Sequence, residues 1–214
     1  MDAERLKYLR RSVWPDPFRP FGVAMNRLQE PFWDLERRYA HSRRHYHTLD
    51  HVDAVVHTAR GLLRPTPPAV ELAAWFHDVV YDPRSGDNEE RSAEYAREVL
   101  KGLGVPADVR EETSRLILLT RSHEASLDDI PGCAFLDADL AILAAEPGAY
   151  DEYAAAIRRE YAWVPEAEYR AGRRRVLERF LARGHIFHTP MMKGAPEARA
   201  RANLAREVAS LGVS

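Results

Sequence analysis

Apolar residues recur every three to four positions along most of the chain, the spacing that places side chains on one face of an α-helix. Prolines and glycines divide this pattern into segments, and no stretch shows the strict two-residue alternation of a strand. The pattern predicts an all-α fold, a single domain of about nine helices. After a short charged first helix, the helical segments are expected at residues 21–40, 47–62, 69–80, 87–103, 106–122, 136–145, 150–163, 165–182 and 196–211.

One of these segments, residues 69–80, is apolar on nearly all sides and is predicted to be the central buried helix. It contains His77 and Asp78, so an imidazole and a carboxylate follow directly on a strongly apolar run. Burying an ionised carboxylate there would cost several kcal/mol unless it is paired or bound to a cation. The position of this dipeptide, rather than its composition, indicates a functional site.

A second group of carboxylates, Asp137 and Asp139, lies among apolar residues of the segment 135–143. Two interpretations remain open at this point. Both carboxylates face inward, or one caps the helix while the other is solvated.

Two histidines, His47 and His51, are four residues apart. If a helix begins at His47, the two side chains lie one turn apart on one face, with Cβ atoms about 5–6 Å apart. Val55 and Thr58 extend that face, so His51 is predicted to point inward. The alternative is a partly buried histidine at a helix start with no ligand role.

Composition narrows the class of protein. The 214 residues carry 31 basic and 33 acidic side chains, a net charge of -2, and 45% are hydrophobic. This balance is typical of a soluble globular protein and predicts neither a nucleic-acid polymer nor a membrane surface as partner. The single cysteine, Cys133, excludes an intramolecular disulfide framework and a zinc ribbon. With no visible signal peptide and no apolar run of membrane-helix length, a cytoplasmic location is expected.

Together the three clusters supply two or three imidazoles and two carboxylates, without a thiolate. Such donors suit a divalent ion of Mn, Fe, Co, Ni, Zn or Mg. We expect one such ion, and the sequence leaves a second ion open. Four ligands leave coordination positions for water and substrate, and a bound water loses a proton far more easily than a free one. The clusters therefore favour a hydrolytic site.

The ordered set His51, then His77-Asp78, then a distal aspartate resembles the signature of the HD superfamily of predicted metal-dependent phosphohydrolases. The likeness is closest to a branch of small proteins with no settled substrate. It spans roughly residues 22–211 and implies one HD-like helical domain, preceded by an N-terminal helix and a proline-rich connection over residues 1–20. Further phrases that match are Arg44–His47, Asp87–Ala93, Thr120–His123, Phe135–Leu143, Arg158–Tyr161, Gly172–Arg173 and Asn203–Leu204.

The resemblance implies four metal ligands, which are His51, His77, Asp78 and Asp139. Asp139 is favoured over Asp137 because the distal ligand in such proteins often follows an alanine or closes an Asp-x-Asp step. Asp137 is then placed among the substrate-binding residues, where it orients a neighbouring group or a water. The chain departs from the pattern at Leu140, where a basic residue is usual.

The phrase from His77 to Asp82 also resembles the site of guanosine tetraphosphate hydrolases, in which an acidic pair follows the His-Asp. Only the second acidic position is kept, as Asp82, because Tyr81 replaces the first. Asp82 is therefore a candidate general acid or base acting through a water. The alternative is a turn residue beside Pro83.

Three further residues complete the expected site. His47 and His123 are assigned to proton handling, phosphate contact or a second metal, and the alternative for His123 is a helix-terminal cap. Arg44 is the favoured phosphate contact, because a guanidinium binds phosphate oxygens in pairs. The run of arginines at 173–175 is predicted to be an exposed helix face.

These assignments favour a metal-dependent phosphohydrolase acting on a small phosphorylated substrate such as a nucleotide. One alternative is an oxygenase of the same fold with two irons, in which His47 and His123 supply extra imidazoles. Another is a non-catalytic sensor or binding domain that uses the metal for folding. The sequence leaves self-association into a homo-oligomer open.

Overall fold

Ten α-helices make up most of residues 1–212, the part of the chain that the computed structural model describes. This range contains no β-strand, so the predicted all-α, single-domain fold is confirmed. The helices are α1 (Ala3–Tyr8), α2 (Gln29–Tyr39), α3 (Leu49–Leu62), α4 (Pro68–Phe76), α5 (Asn88–Leu103), α6 (Ala107–Leu119), α7 (Ile130–Asp139), α8 (Pro147–Glu160), α9 (Glu166–Ala182) and α10 (Ala195–Gly212).

The N-terminal segment belongs to the hydrophobic core. Leu9, Trp14 and Phe18 are buried there, on short π- and 3₁₀-helical turns that follow α1. The Trp14 ring lies 5.2 Å from the ring of Trp75 in α4, in an edge-to-face arrangement. Residues 9–18, which the sequence indicated as a helix and a connection, therefore help to bury the central helix.

Helix α4 is the central buried helix, as predicted, because every residue from Ala69 to Phe76 is buried. It ends at Phe76, however, and not near residue 80. The guanidinium of Arg44 donates to the carbonyl oxygens of Asp78 and Val79, at 2.6 and 3.0 Å. His77 and Asp78 sit in a turn, and these bonds satisfy the carbonyl oxygens of the backbone beyond the helix end.

Helix α7 also differs from the expected segment at residues 136–145. It begins at Ile130, where the Asp129 side chain accepts a hydrogen bond from the backbone N–H of Gly132 at 3.0 Å. Pro131 occupies the first turn, a position where its missing N–H costs nothing. A 3₁₀ turn (Leu140–Ala144) follows the helix, so Asp139 is its last residue.

The buried apolar residues form two clusters. The larger runs from Leu9 to Ala138 and includes α4, and the smaller runs from Leu140 to Leu204 and includes parts of α8, α9 and α10. Asp139 lies in the chain between the end of one cluster and the start of the other. No helix within residues 1–212 has the length and apolar character needed to cross a membrane.

Candidate metal centre

Three side chains from separate helices meet near the junction of the two clusters. His51 comes from α3, His77 from the end of α4 and Asp139 from the end of α7. The Nε2 atoms of the two histidines are 3.0 Å apart. Asp139 Oδ1 lies 3.1 Å from Nε2 of His51 and 3.4 Å from Nε2 of His77. Their ligand atoms all lie within 4.8 Å of one another, so the three residues are close enough to hold one metal ion.

The orientation of His77 suits a ligand. Its Nδ1 lies 3.0 Å from the carbonyl oxygen of Ala74, which can only accept, so Nδ1 carries the hydrogen. The lone pair of the neutral ring is then on Nε2 and points at the cluster, as in many metal-binding histidines. Burial lowers the pKa of both histidines. In His51 it prevails, but in His77 the charges of Asp78 and Asp139 outweigh it and raise the pKa.

Asp78 lies beside the three residues. Its Oδ2 is 3.0 Å from Nε2 of His77 and 3.6 Å from Nε2 of His51. Burial alone would raise the pKa of Asp78 and of Asp139, but the charges and hydrogen bonds of the surrounding imidazoles lower both values. Two ionised carboxylates therefore face two imidazole nitrogens. The role of Asp78 as a fourth ligand stays a prediction.

The donor set fits a divalent ion. Two imidazole nitrogens and a carboxylate oxygen converge without a thiolate, the combination that Mn, Fe, Co, Ni and Zn accept readily. Lone pairs that point at one another across 3 Å repel unless a cation or a proton lies between them. The expectation of a divalent metal is therefore supported as far as these three residues, and the kind of metal stays open.

His47 lies before α3 rather than on it, because the helix is capped by Thr48 and begins at Leu49. Its ring nevertheless stays near His51, with 5.9 Å between ring centroids. Nδ1 of His47 lies 2.6 Å from Oε2 of Glu160 in α8. The ring also stacks on Tyr81 at 4.2 Å. The expected proximity of the two histidines is thus produced by a contact with α8, not by one helical turn.

Glu160 is the residue that sequence reasoning missed. Its carboxylate is buried and accepts hydrogen bonds from the backbone N–H groups of His45, Tyr46 and His47 and from the hydroxyl of Tyr81. Burial would raise the pKa of Glu160, but these bonds and the charge of His47 outweigh it and lower the pKa to about 2. The only signal in the sequence is its place in the matched phrase Arg158–Tyr161.

The His47 ring is polarised by this carboxylate. Burial lowers the pKa of His47, but the charge of Asp78 and the hydrogen bond to Glu160 prevail and raise it. Because an ionised carboxylate only accepts, Nδ1 of His47 is the donor. Within residues 1–212 its Nε2 makes no hydrogen bond, and His47 lines a cavity beside the metal cluster.

His123 contacts the cluster from α6. Its Nε2 lies 3.0 Å from Oδ2 of Asp139, the oxygen that does not face His51. The residue follows the end of α6 with a positive φ of 51°, a conformation that non-glycine residues rarely adopt. His123 is therefore brought to the expected site, where it holds the Asp139 carboxylate in place.

The structure gives Arg44 a different environment from the one expected for a phosphate contact. The side chain is buried, and its guanidinium donates to the carbonyl oxygens of His47, Asp78 and Val79. It also lies over the ring of Tyr39, at 4.8 Å. This geometry favours a role for Arg44 in positioning the turn that carries Asp78.

Asp82 and Asp137 lie outside the cavity. Asp82 is exposed and accepts a hydrogen bond from the backbone N–H of Arg84 at 3.0 Å, which favours the turn role over the acid–base role. Asp137 is fully buried and accepts hydrogen bonds from the backbone and side chains of His188 and Thr189. Two residues apart on a helix, Asp137 and Asp139 face opposite sides. Asp137 orients neighbouring groups, but those groups lie on the C-terminal segment.

A cavity of about 600 Å³ opens beside the cluster. The residues that line it include His47, His51, Asp78, His123 and Asp139, together with aromatic and aliphatic side chains, several of which belong to α8 and α9. Arg173 also lines it, although the sequence predicted an exposed face at residues 173–175. That prediction was wrong for Arg173, whose side chain is only 9% exposed because it pairs with Glu207 of α10.

Comparisons with models of protein families, with curated proteins and with solved structures found no match to this chain. The resemblance to the HD superfamily therefore depends on the motif and on the geometry of the three convergent residues.

Proposed function

We propose that the protein is a metal-dependent phosphohydrolase that cleaves a phosphomonoester or phosphoanhydride of a small molecule, with nucleotides among the candidates. The observation that carries the proposal is the convergence of His51, His77 and Asp139, with Asp78 beside them, next to a cavity of about 600 Å³. A divalent ion held there would lower the pKa of a coordinated water and polarise a phosphoryl oxygen. The cavity has room for the remainder of a small substrate.

His47 is the residue best placed to move protons. Glu160 holds its Nδ1, which leaves Nε2 to give a proton to a leaving oxygen or to take one from a water. Glu160 also accepts from the backbone N–H groups of His45, Tyr46 and His47, so the carboxylate that holds the ring is itself fixed to the segment that carries the ring. The pair resembles other histidine–carboxylate pairs in which the carboxylate fixes the tautomer and stabilises the imidazolium.

His123 and Arg44 support the same arrangement from two sides. His123 holds Oδ2 of Asp139, and so directs Oδ1 toward the imidazoles. Arg44 holds the carbonyl oxygen of Asp78, and so fixes the turn beyond α4. A carboxylate restrained in this way needs little reorganisation when it binds a cation.

The test combines metal analysis with a panel of phosphate esters and anhydrides. The protein is stripped with a chelator, reloaded separately with Mn²⁺, Fe²⁺, Co²⁺, Ni²⁺, Zn²⁺ or Mg²⁺, and assayed for phosphate release. We expect His77→Ala to lose both metal and hydrolysis. His57→Ala, which removes an exposed histidine of α3, should keep both. Equal hydrolysis with and without metal in folded protein would contradict the proposal.

The same measurements separate the two alternative functions. Two irons per chain, with oxygen consumed during turnover, would identify the oxygenase instead. Metal that raises the melting temperature without turnover on any ester would identify the binding domain. One metal per chain with phosphate release supports the phosphohydrolase.

A further inference from the structure

Much of the cavity wall is aromatic. Six rings line the cavity, those of Tyr46, Tyr81, Tyr153, Tyr161, Tyr169 and Phe180. The aromatic surface begins at the cluster itself, because the Tyr46 ring lies 4.7 Å from the His51 ring and 4.6 Å from the Tyr153 ring. Aliphatic side chains, among them Ile142 and Val176, fill the spaces between the rings. A group that lies against this wall gains by stacking and apolar contact.

The charge of the one basic side chain in the wall is already neutralised. Arg173 is the single lysine or arginine among the residues of 1–212 that line the cavity. Its guanidinium binds Glu207 through two parallel contacts, Nε to Oε1 at 2.8 Å and the second terminal nitrogen to Oε2 at 3.0 Å. Both side chains are about nine-tenths buried. This paired geometry occupies the donors that a phosphate would otherwise use.

Apart from the histidines at the metal cluster, the other charged groups that line the cavity are acidic. Glu89 and Glu168 line it in addition to Asp78 and Asp139. A divalent ion would offset the charges of the two aspartates and leave the two glutamates uncompensated. The cavity thus offers its positive charge at one point only, at the metal cluster. Additional phosphate groups would find acidic side chains and an arginine that is already paired.

One polar group of the wall is suited to an uncharged partner. The hydroxyl oxygen of Tyr153 accepts a hydrogen bond from Arg173 at 3.3 Å. Among residues 1–212 the hydroxyl hydrogen of Tyr153 has no acceptor, and a hydroxyl that accepts from a cation is a stronger donor. A carbonyl oxygen or ring nitrogen of a neutral ligand would be an appropriate acceptor.

Building on the proposed phosphohydrolase function, we infer that the substrate is a phosphomonoester of an uncharged, ring-bearing alcohol, and that the Arg173–Glu207 ion pair discriminates against polyphosphates. In the reaction, the oxygen of a water bonds to phosphorus and the bond between phosphorus and the alcohol oxygen breaks. The alcohol oxygen keeps the electron pair and takes up a proton. The products are inorganic phosphate and the neutral alcohol.

Two substrate comparisons test this inference in the metal-loaded wild-type protein. A nucleoside monophosphate and the triphosphate of the same nucleoside share a ring and differ in charge. The same monophosphate and glycerol phosphate share the charge and differ in the ring. We expect kcat/KM to be at least about tenfold higher for the nucleoside monophosphate in both comparisons, at equal free Mn²⁺. Equal or reversed preference in either comparison overturns the inference.

A variant tests the role of the ion pair. Glu207→Gln keeps the shape of the side chain but leaves the charge of Arg173 uncompensated. We expect the preference for monophosphate over triphosphate to shrink by about tenfold, through a gain on the triphosphate. Glu178→Gln is the matched control, because it removes the partner of Arg174 in an exposed pair of α9. An unchanged preference in folded Glu207→Gln protein contradicts the assigned role, and the wild-type comparisons decide the substrate class whether or not this variant folds.

A binding measurement separates this inference from the proposed function. Calorimetry with a non-hydrolysable phosphonate analogue of the monophosphate, and with the methylene analogue of the triphosphate, requires no turnover. Tighter binding of the monophosphonate supports the inference even if no phosphate ester is cleaved. Tighter binding of the triphosphate analogue overturns it even if esters are cleaved. A failure of hydrolysis with every metal and substrate counts only against the proposed function.

Discussion

Asp139 and His123 share a contact in which Nε2 of the histidine lies 3.0 Å from Oδ2 of the carboxylate. The other oxygen, Oδ1, faces Nε2 of His51 at 3.1 Å. The carboxylate therefore has one oxygen for the metal cluster and one for the residue that restrains it. Groups that hydrogen-bond to a metal ligand and orient it typically cost about 10–100-fold in metal affinity or activity when they are replaced.

Replacing His123 should weaken metal binding without removing it. His123→Asn tolerates the left-handed backbone at this position but cannot reach Asp139 in the same way. We expect the metal dissociation constant to rise by roughly 10–100-fold, as measured by competition with a chromophoric chelator. His185→Ala, at an exposed histidine, is the control and should bind metal like the wild type. Unchanged affinity in His123→Asn would show that Asp139 does not depend on this contact.

Substitutions of the two aspartates of α7 should differ in their effect on metal content. Asp139→Asn should lose stoichiometric metal, and it should also lower the melting temperature of the metal-free protein, because the surrounding imidazoles stabilise the ionised carboxylate. Asp137→Asn should keep the metal but lower the free energy of unfolding by about 2–4 kcal/mol, since it disturbs buried hydrogen bonds to His188 and Thr189. Elemental analysis and denaturant titration give the two readouts. Loss of metal in Asp137→Asn at intact folding would instead favour Asp137 as the ligand.

Much of this site could be predicted because its signal is local. A carboxylate after an apolar run, as at Asp78, shows that a buried charge needs compensation, and this is visible without a structure. Glu160 gave no such signal, because a glutamate on an amphipathic helix usually faces water. Its contact with His47 joins residues 113 positions apart, and no periodicity reports such a distance.

The end of α4 was mispredicted for a similar reason. Apolar residues continue to Val80, so the pattern predicts a longer helix. The carbonyl oxygens beyond the helix end are instead bonded by the guanidinium of Arg44, which is 34 residues before Asp78 in the chain. The all-α fold was predictable from spacing, whereas helix ends that depend on a distant side chain were not.

A substitution of Arg44 should lower the stability of the fold rather than act only on the binding of substrate. Arg44→Lys cannot reproduce the bonds to the carbonyl oxygens of Asp78 and Val79. We expect the free energy of unfolding to fall by about 1–3 kcal/mol and metal affinity to fall with it, as measured by denaturant titration and chelator competition. Arg43→Lys, at the exposed neighbouring arginine, should change neither. A raised KM at unchanged stability and metal affinity would show that Arg44 contacts phosphate.

Asp82 offers a direct choice between a turn residue and a catalytic group. Its exposed carboxylate accepts from the Arg84 backbone, and asparagine can make the same contact. We therefore expect Asp82→Asn to keep kcat within a few-fold of the wild type, whereas loss of a general acid or base would cost about 10²–10⁴-fold. A steady-state assay on the best phosphate ester decides between them. A large fall in kcat at unchanged melting temperature would restore the acid–base role.

Glu160 should make stability depend on pH in a defined direction. Its pKa is about 2 in the folded protein against an ordinary value of 4.5. The folded state therefore binds its proton less readily than the unfolded chain, and the stabilisation is fully present above pH 4.5 and lost as pH falls toward 2.

The raised pKa of His47 makes the stability of the folded state depend on pH at higher values than Glu160 does. Its stabilisation is fully present below its ordinary pKa of 6.5 and is lost as pH rises through the higher folded value. The ion pair of His47 with Glu160 thus contributes most between about pH 4.5 and 6.5.

We expect Glu160→Gln to lower the free energy of unfolding of chelator-treated protein by about 2 kcal/mol at pH 6, and by much less at pH 3. The glutamine keeps most of the shape but cannot carry the charge that the His45–His47 backbone and the His47 ring stabilise. Urea titrations of the wild type and the variant across this range measure the difference. Glu152→Gln, at an exposed glutamate of the same helix, should show the same pH dependence of the free energy of unfolding as the wild type. A difference for Glu160→Gln that stayed constant from pH 6 to pH 3 would mean that the ionised carboxylate does not anchor His47.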